Sequence, residues 1–402
     1  MFIGKGKCML ETSVKKQCNG CKMCADICPK NAIFFQRDSL TGFDYPAIDD
    51  DLCVHCNKCD SICPQINPVY QNERNKPEVL AAWSLDDEKR MLCTSGGIFY
   101  EVAHKVILSG GVVVACRYTD DFRGSYHSIA ETEEDLIPLC GSKYVQSNTF
   151  HIYPKIQKLL QENRFVFFVG TPCQVAALYR FVGNDFPNLL TADFICNSIN
   201  SPKAQEKYID YLEDEYQGKI VFSRAKDKRY GWNNFGSSAK FDNGKEYYAD
   251  RNNDMRVVGY HHGHLFIRES CSDCKYKTIP RNADITLGDF WGIKPDERNP
   301  KLEKGTSVVL LNSKKGADFL RSIPRIDSYS KSFDEALAGN GSLLYSAQLS
   351  PDRFKAFAEL DKSRFDVVVN KYRNDRDRVT IPQRAKRGII QVLRKVVRSN
   401  GC

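Results

Sequence analysis

Cysteine spacing constrains this chain more than any other feature. The segments "CNGCKMCADICP" (18–29) and "CVHCNKCDSICP" (53–64) repeat one rhythm, Cys-x2-Cys-x2-Cys-x3-Cys-Pro. Three thiols at two-residue gaps wrap round one compact group. The fourth, placed just before a proline that turns the chain away, reaches a neighbouring group. The start, "MFIGKGKCML", lacks the apolar core of a secretion signal. No stretch approaches the roughly 20 apolar residues that cross a bilayer. The expected location is therefore the cytoplasm, where thiols stay reduced. Seventeen cysteines there point to metal or redox work rather than to disulfides.

The doubled run is that of bacterial two-cluster ferredoxins. It assigns Cys18, Cys21, Cys24 and Cys63 to one 4Fe–4S cluster, and Cys53, Cys56, Cys59 and Cys28 to the other. A pair of zinc sites is the alternative. Zinc usually takes two CxxC pairs, or cysteines with histidines, rather than three close cysteines and a distant fourth. His55 lies inside the second run, but the cysteine count is already complete, so it reads as a loop residue. The short apolar pieces "AIFF" and "YPAI" predict small strands packed on the clusters.

Residues 1–68 thus form a two-cluster 4Fe–4S domain, and the polar, proline-bearing 69–78 a linker. Beyond it, "VVVAC" (112–116), "FVFFVG" (165–170) and "LLTADFIC" (189–196) alternate with helical runs at 97–111, 150–161 and 172–183. That alternation predicts a mostly parallel α/β core across about 79–215. "KIVFSRAKDKRYGWNNFGSSAKF" and "KEYYAD" suggest antiparallel strands, and "ADITLGDFWGI" and "GTSVVLLNS" resume buried strands. The fold class expected is α+β with an α/β core: a two-cluster ferredoxin-type domain and a larger domain, 79–350, with a mixed, partly parallel sheet. The larger domain divides into parts of about 79–160 and 161–350. Residues 351–402 are expected as C-terminal helices.

Four further cysteines form a third set. Cys173 opens a helix after a strand, Cys196 ends the next strand, and Cys271 and Cys274 make "CSDC". Neighbouring parallel strands end on one edge, so Cys173 and Cys196 are expected to be close. Two readings stand side by side here: a third 4Fe–4S cluster, or a zinc CxxC with two inert core cysteines. Cys116 reads as core packing. Cys8, Cys93, Cys140 and Cys402 carry no assigned role.

Three small-residue loops stand out: Thr94-Ser95-Gly96-Gly97, Gly141-Ser142-Lys143-Tyr144 and Gly170-Thr171-Pro172-Cys173-Gln174. Such loops bring backbone N–H groups to a phosphate, or serve only geometry. No GxGxxG occurs, so a Rossmann dinucleotide site is not supported. The net charge is +8, but six of the positive charges sit in 381–402, which holds no acid. A nucleic-acid partner is not expected on so local a bias. That tail, "KRGIIQVLRKVVRSNG", places Ile389, Ile390, Leu393, Val396 and Val397 on one helical face. It fits either docking on its own domain or peripheral contact with an anionic membrane.

The ordered motifs "TSGGIF", "GSKYVQS", "FVGTPCQVAAL", "FICNS", "CSDCKYK" and "ADITLGDFWGI", behind the doubled cysteine run, resemble the beta-subunit family of coenzyme F420 hydrogenase/dehydrogenase. The resemblance is to its bacterial branch, often found among cell-surface polysaccharide genes. It implies a flavoprotein carrying FAD, lined by Thr94, Ser95, Gly96, Gly97, Gly141, Ser142, Lys143, Tyr144, Gly170, Thr171, Pro172 and Gln174. It also implies a cluster on Cys173, Cys196, Cys271 and Cys274, with Asp284 and Asp289 supporting the cluster loop or cofactor wall, or else serving as a turn or cap. The function implied is an oxidoreductase passing electrons between a ferredoxin or flavodoxin-type partner, 4Fe–4S clusters, FAD and a small organic substrate. Lys143, Tyr144 and the group His261, His262 and His264 are the candidate proton donors; the histidines also suit a polar surface loop. The alternative is an electron-transfer subunit with no substrate site of its own.

Overall fold

A computed structural model describes residues 16–68, 72, 76–183 and 186–373. The basic tail, Cys8, Cys402 and most of the expected linker lie outside the described residues.

The doubled run folds into a doubled backbone. Gly20 and His55, at matching places in the two runs, both take a positive φ (71° and 54°). So do Lys22 and Asn57 (60° and 57°). Left-handed residues alternating with ordinary ones curl the chain so that successive thiols face inward. Each curl feeds a short helix, Met23–Asp26 or Lys58–Ile62. Two strands, β1 (Ile33–Arg37) and β2 (Asp44–Ile48), pair antiparallel with Ile33 opposite Ile48. They are the strands predicted from "AIFF" and "YPAI". This unit has little core of its own: Ala25 and Ile33 form its own buried cluster, surrounded by Cys18, Cys24, Cys28 and Cys59, whereas Met23 and Phe43 are buried against the larger domain.

The remaining strands are β3 (Glu78–Ser84), β4 (Val112–Tyr118), β5 (Ser125–Ala130), β6 (Ser147–Asn148), β7 (Val166–Gly170), β8 (Leu189–Phe194), β9 (Ile220–Asp227), β10 (Gly236–Phe241), β11 (Glu246–Asp250), β12 (Ile285–Asp289), β13 (Ser307–Leu311) and β14 (Ile326–Lys331). Nine of them form one sheet in the order β14-β3-β13-β12-β8-β7-β4-β5-β6. Its middle, β12-β8-β7-β4, is parallel. The expectation of a mostly parallel core over 79–215 is corrected at both ends. β3 pairs antiparallel with β13 and β14, and β5 folds back antiparallel on β4 through a tight turn. A turn that short cannot make the crossover that a parallel pair requires. β9, β10 and β11 make a separate antiparallel sheet, as "KIVFSRAKDKRYGWNNFGSSAKF" and "KEYYAD" predict.

Helices cover both faces of the large sheet, which accounts for the near-continuous apolar strands. Helix Ile98–Leu108 buries Ile98, Val102 and Val106 against Val113, Phe167 and Val309. Helices Ile152–Gln161 and Pro172–Val182 bury Ile156, Val175 and Leu178 against Val112, Val166 and Phe168 on the other face. Gly96 is held where any side chain would strike the β3 backbone: a Cβ there would lie 2.4 Å from the Ala82 carbonyl oxygen. Helices Arg353–Glu359 and Phe365–Tyr372 close a further core with Ile209, Leu212 and Phe266. Among the described residues no helix is long and apolar enough to cross a membrane.

The cysteine unit is docked rather than tethered. Arg268, fully buried, donates from Nε to the Cys18 carbonyl (2.6 Å), from Nη1 to Gln146 Oε1 (2.7 Å) and from Nη2 to the Asp44 carbonyl (3.0 Å). Its plane lies over Phe43 and Tyr45 at 5.0 and 4.5 Å. Thr149 donates to the Cys21 carbonyl at 2.7 Å, and Lys203 to those of Ser39 and Leu40, both at 3.1 Å. A single arginine serving two carbonyls and two aromatic faces fixes orientation as well as distance.

Candidate iron–sulfur centres and the adjoining loops

Cys18, Cys21, Cys24 and Cys63 line one depression, with Phe35, Pro46 and Pro64 as its apolar wall. Cys28, Cys53, Cys56 and Cys59 line another, with Ile33, Ile48 and Val54. The structure brings the eight thiols together in two groups of four, with Cys28 beside the second run and Cys63 beside the first. Backbone N–H groups point at the sulfurs: Gly20 N–H at Cys18 Sγ (3.4 Å) and Ala32 N–H at Cys28 Sγ (3.3 Å). Donors of this kind hold negative charge on sulfur. Burial, aided by neighbouring thiols, pushes the Cys21 and Cys24 thiols well above their ordinary range. Deprotonating such a group requires bound positive charge in its midst.

The third set is assembled by the sheet. Gly170 of β7 lies opposite Asp193 of β8. Cys173 and Cys196 each follow three residues later, so both leave the same sheet edge. Cys271 sits in the 3₁₀ turn Glu269–Asp273, and Cys274 ends it. The four thiols face one another closely enough that Cys173 is raised to about 12 by burial and then by Cys274. Cys196 is raised to about 12 by burial and then by Cys271, and Cys271 to about 12 by burial and then by Cys173. Ile199 N–H donates to Cys271 Sγ at 3.3 Å. Burial lowers the Lys277 ammonium pKa; it lies beside Cys196, Cys274 and Cys271 and is held by the Asn197 carbonyl at 2.9 Å. Among the described residues no three His, Cys, Asp or Glu side chains are arranged to hold a lone metal ion. The donor chemistry of each set, four soft thiols with N–H support, fits a cluster.

The first and third sets adjoin. Cys21 and Cys173 sense each other's charge, and both act on the buried Tyr153. Tyr276, two residues past Cys274, donates its hydroxyl to the Pro64 carbonyl at 2.5 Å, directly after Cys63. Lys275 donates to the Gln65 carbonyl. Tyr276 and Arg268 were not singled out from the sequence. Tyr276 lay inside the quoted "CSDCKYK", a usable signal; a lone arginine in "FIRES" offered none.

The three small-residue loops are partly brought together. Thr94 and Ser142 hydroxyls lie 3.0 Å apart, and Ser142 N–H donates to Thr94 Oγ1 at 2.9 Å. Tyr144 leads on to the third set: its ring is 5.4 Å from that of Tyr260, whose environment includes Cys196 and Cys271. Gly170–Gln174 belongs to the Cys173 turn. There Thr171 and Gln174 form a capping box, with Thr171 N–H donating to Gln174 Oε1 at 2.9 Å. Gly96 N–H donates to Ser307 Oγ at 2.9 Å, and Ser95 Oγ to the Thr306 carbonyl at 2.8 Å. Lys143 bends back onto the carbonyls of Leu139 (2.7 Å), Cys140 (2.9 Å) and Gly141 (3.0 Å). Asp284 braces the sheet, accepting from Thr191 N (2.9 Å) and Ser313 Oγ (2.6 Å). Asp289 accepts from Lys226 Nζ (2.6 Å) and Trp232 Nε1 (2.7 Å). His264 spans Asn197 and the Gln348 carbonyl. His261 is exposed and His262 partly buried.

Residues 163–328 match the family described as the C terminus of the coenzyme F420 hydrogenase/dehydrogenase beta subunit. Residues 17–66 match the 4Fe–4S dicluster domain. An uncharacterized protein of Methanocaldococcus jannaschii is 22% identical over 388 residues, covering 87% of this chain and 94% of its own length. A ferredoxin of Alicyclobacillus acidocaldarius is 40% identical over 50 residues, 12% of this chain and 55% of that ferredoxin. Among solved structures, a chain of the xenon-derivatized F420-reducing [NiFe] hydrogenase complex from Methanosarcina barkeri is 17% identical. That match covers 76% of this chain and 94% of the other, with a TM-score of 0.43. The family and dicluster matches make this chain an iron–sulfur electron-transfer protein related to the F420 hydrogenase beta subunit.

Proposed function

We propose that the chain is an oxidoreductase holding three 4Fe–4S clusters: on Cys18, Cys21, Cys24 and Cys63; on Cys53, Cys56, Cys59 and Cys28; and on Cys173, Cys196, Cys271 and Cys274. Such clusters, when bound, exchange single electrons. The chain's own residues set the order. Cys56 is exposed beside exposed Leu52 and Val54, where a ferredoxin or flavodoxin-type partner would meet the second set. Cys28 and Cys63 cross between the first two sets, and Tyr276 and Arg268 clamp the first set to the third. The observation that carries this reading is that row of thiol sets, leading from an exposed edge to the carboxyl edge of a parallel sheet, where such folds place ligands.

FAD is retained from the family resemblance, but the three loops fit its phosphates poorly. The N–H groups of Gly96, Ser142 and Thr171 are already bonded to Ser307, Thr94 and Gln174. Lys143, with three carbonyl partners, is equally committed as a proton donor. These commitments favour the second reading, an electron-transfer subunit whose substrate chemistry occurs on another chain. A small organic substrate, and a link to cell-surface polysaccharide synthesis, belong to the first reading.

The test is anaerobic purification with iron, acid-labile sulfide and flavin counts. Three clusters give about 12 iron atoms and as many sulfides per chain. Zinc without labile sulfide would overturn the redox reading. Flavin bleaching reversed by a small molecule alone supports the enzyme; turnover only after a partner is added supports the subunit.

A further inference from the structure

Four cations stand round the third set, and three of them cannot favour it over the first. Arg281 has a counterion: its Nη2 lies 2.9 Å from Asp193 Oδ2, with both side chains sealed from solvent. It also donates to the Tyr276 and Phe194 carbonyls at 3.1 and 3.4 Å, stapling the exit of β8 to the loop after Cys274. Arg268 and Lys275 are shared, since they donate to the Cys18 and Gln65 carbonyls on the first set's own segments. Lys277 belongs to the third set alone. Its Nζ donates at 2.9 Å to the carbonyl of Asn197, the residue after Cys196, and its backbone N–H donates to the Cys274 carbonyl at 3.5 Å. The side chain therefore crosses from one cysteine segment to the other. Asn197 is itself held, with Oδ1 accepting from Ser342 Oγ at 3.3 Å and Nδ2 3.2 Å from His264 Nε2. Among the described residues no carboxylate pairs with the Lys277 ammonium. Lys22, beside the first set, is by contrast neutralised by Asp44 at 2.7 Å.

We propose that Lys277, on the three-cluster reading above, supplies the fixed charge that sets the reduction potential of the third set and so lets electrons pass to it from the first. Reduction adds one negative charge to a group that four thiolates already make negative. Burial penalises that charge, because little solvent is left to screen it. Cys173 and Cys271 are buried, whereas Cys56 at the exposed edge is open to solvent. Without a countercharge the third set would be harder to reduce than the second, where electrons enter. An ammonium held between its two cysteine segments stabilises the added electron and raises the potential. The transfer itself is one electron: the first set is oxidised, the third is reduced, and no bond is made or broken. Arg268 and Lys275 touch both sets, so their charges move both potentials together. Lys277 moves the difference, and that difference decides which way electrons run between them.

The experiment poises the full-length chain, prepared anaerobically, at stepped potentials with dithionite and mediators, and follows each paramagnetic signal, with iron counted in the same samples. The signal missing from Cys271→Ser is that of the third set. Lys277→Gln keeps an N–H donor for the Asn197 carbonyl and removes the charge; Lys277→Arg keeps the charge. The expected result in Lys277→Gln is a lower third midpoint, with iron and the other two midpoints unmoved. The fall should shift the electron balance between the first and third sets about tenfold, or about 59 mV for a one-electron couple. Lys277→Arg should hold the native value. An unmoved third midpoint in Lys277→Gln, an equal shift of all three, or an equal shift in Lys277→Arg would overturn the proposal. Should Lys277→Gln shed iron, Lys277→Met is read in its place. Iron lost from both also sinks the proposal, because the charge would then hold the metal rather than tune it. Iron for only two clusters in the unaltered chain, with no signal lost in Cys271→Ser, overturns the three-cluster reading itself, and is seen before any lysine variant is made.

Discussion

The two cysteine-bearing regions are built on opposite principles. In residues 18–63 the ligand geometry is local: left-handed residues at Gly20 and Lys22, repeated at His55 and Asn57, aim thiols that are neighbours in sequence. The third set has no local geometry to speak of. Cys173 and Cys196 are brought together by the β7–β8 register, and the Cys271–Cys274 turn arrives from beyond the β9–β11 sheet. Stability follows the same division. The first region buries little apolar surface of its own, whereas the large sheet has packed layers on both faces. Small units lacking a core depend on bound metal.

Removing iron from the full chain with a chelator should therefore give the largest and most unequal effect. Hydrogen exchange over 16–68 is expected to lose its protection, while β4, β7 and β8 keep theirs. Equal protection of both regions in the iron-free chain would erase the contrast. Single ligands come next. Cys21→Ser and Cys271→Ser should each lower iron by about a third, four atoms of about 12. The first should loosen only the cysteine unit; the second should leave the sheet edge folded, because β7 and β8 pair without it. Unchanged iron in Cys271→Ser would remove the third centre.

That contrast also governs how much was legible beforehand. The doubled run disclosed its grouping because its geometry is written within a dozen residues. Cys173 and Cys196 were legible through one general fact, that parallel strands end together. The partners of the loops were hidden because they are distant in sequence: nothing in "TSGG" announces Ser307, and nothing in "FIRES" announces that Arg268 will hold Cys18, Asp44 and Gln146. Lys143 looked like a free charge because a 3₁₀ turn offering three carbonyls cannot be seen from composition. A mixed sheet was expected, but which strands pair antiparallel at its ends was not legible, for a related reason: partners such as β3 and β13 are more than two hundred residues apart.

Acid should separate the regions further. His127 on β5 is buried, with Nδ1 accepting from Ser147 Oγ (2.7 Å) and Nε2–H donating to the Val169 carbonyl (3.0 Å). Burial lowers its pKa to about 4. In the unfolded chain the same imidazole takes its proton near 6.5. Between those values the unfolded state binds more protons, so stability falls as pH falls through that window. The loss is up to roughly 3 kcal/mol by pH 4. Chemical denaturation of the iron-free chain at pH 7 and pH 5 should show it, and His127→Gln should flatten it. An unflattened slope would assign the acid sensitivity elsewhere.

The smallest effect probes the seam between the regions. Tyr276→Phe deletes one hydroxyl, leaving the Pro64 carbonyl without that donor in a site where Tyr276 is 3% exposed. The cost is about 1 kcal/mol, read as a lower denaturation midpoint of the iron-loaded chain. Iron content should stay at its full value, because no ligand is touched. The informative quantity is electron transfer between the first and third sets, followed by rapid reduction and paramagnetic resonance. If Tyr276 orients Pro64, and with it Cys63, against the Cys274 turn, transfer slows while iron and sheet protection hold. If the midpoint drops but transfer does not, the hydroxyl serves stability alone, and the alignment of the two regions rests on Arg268, Thr149 and Lys203.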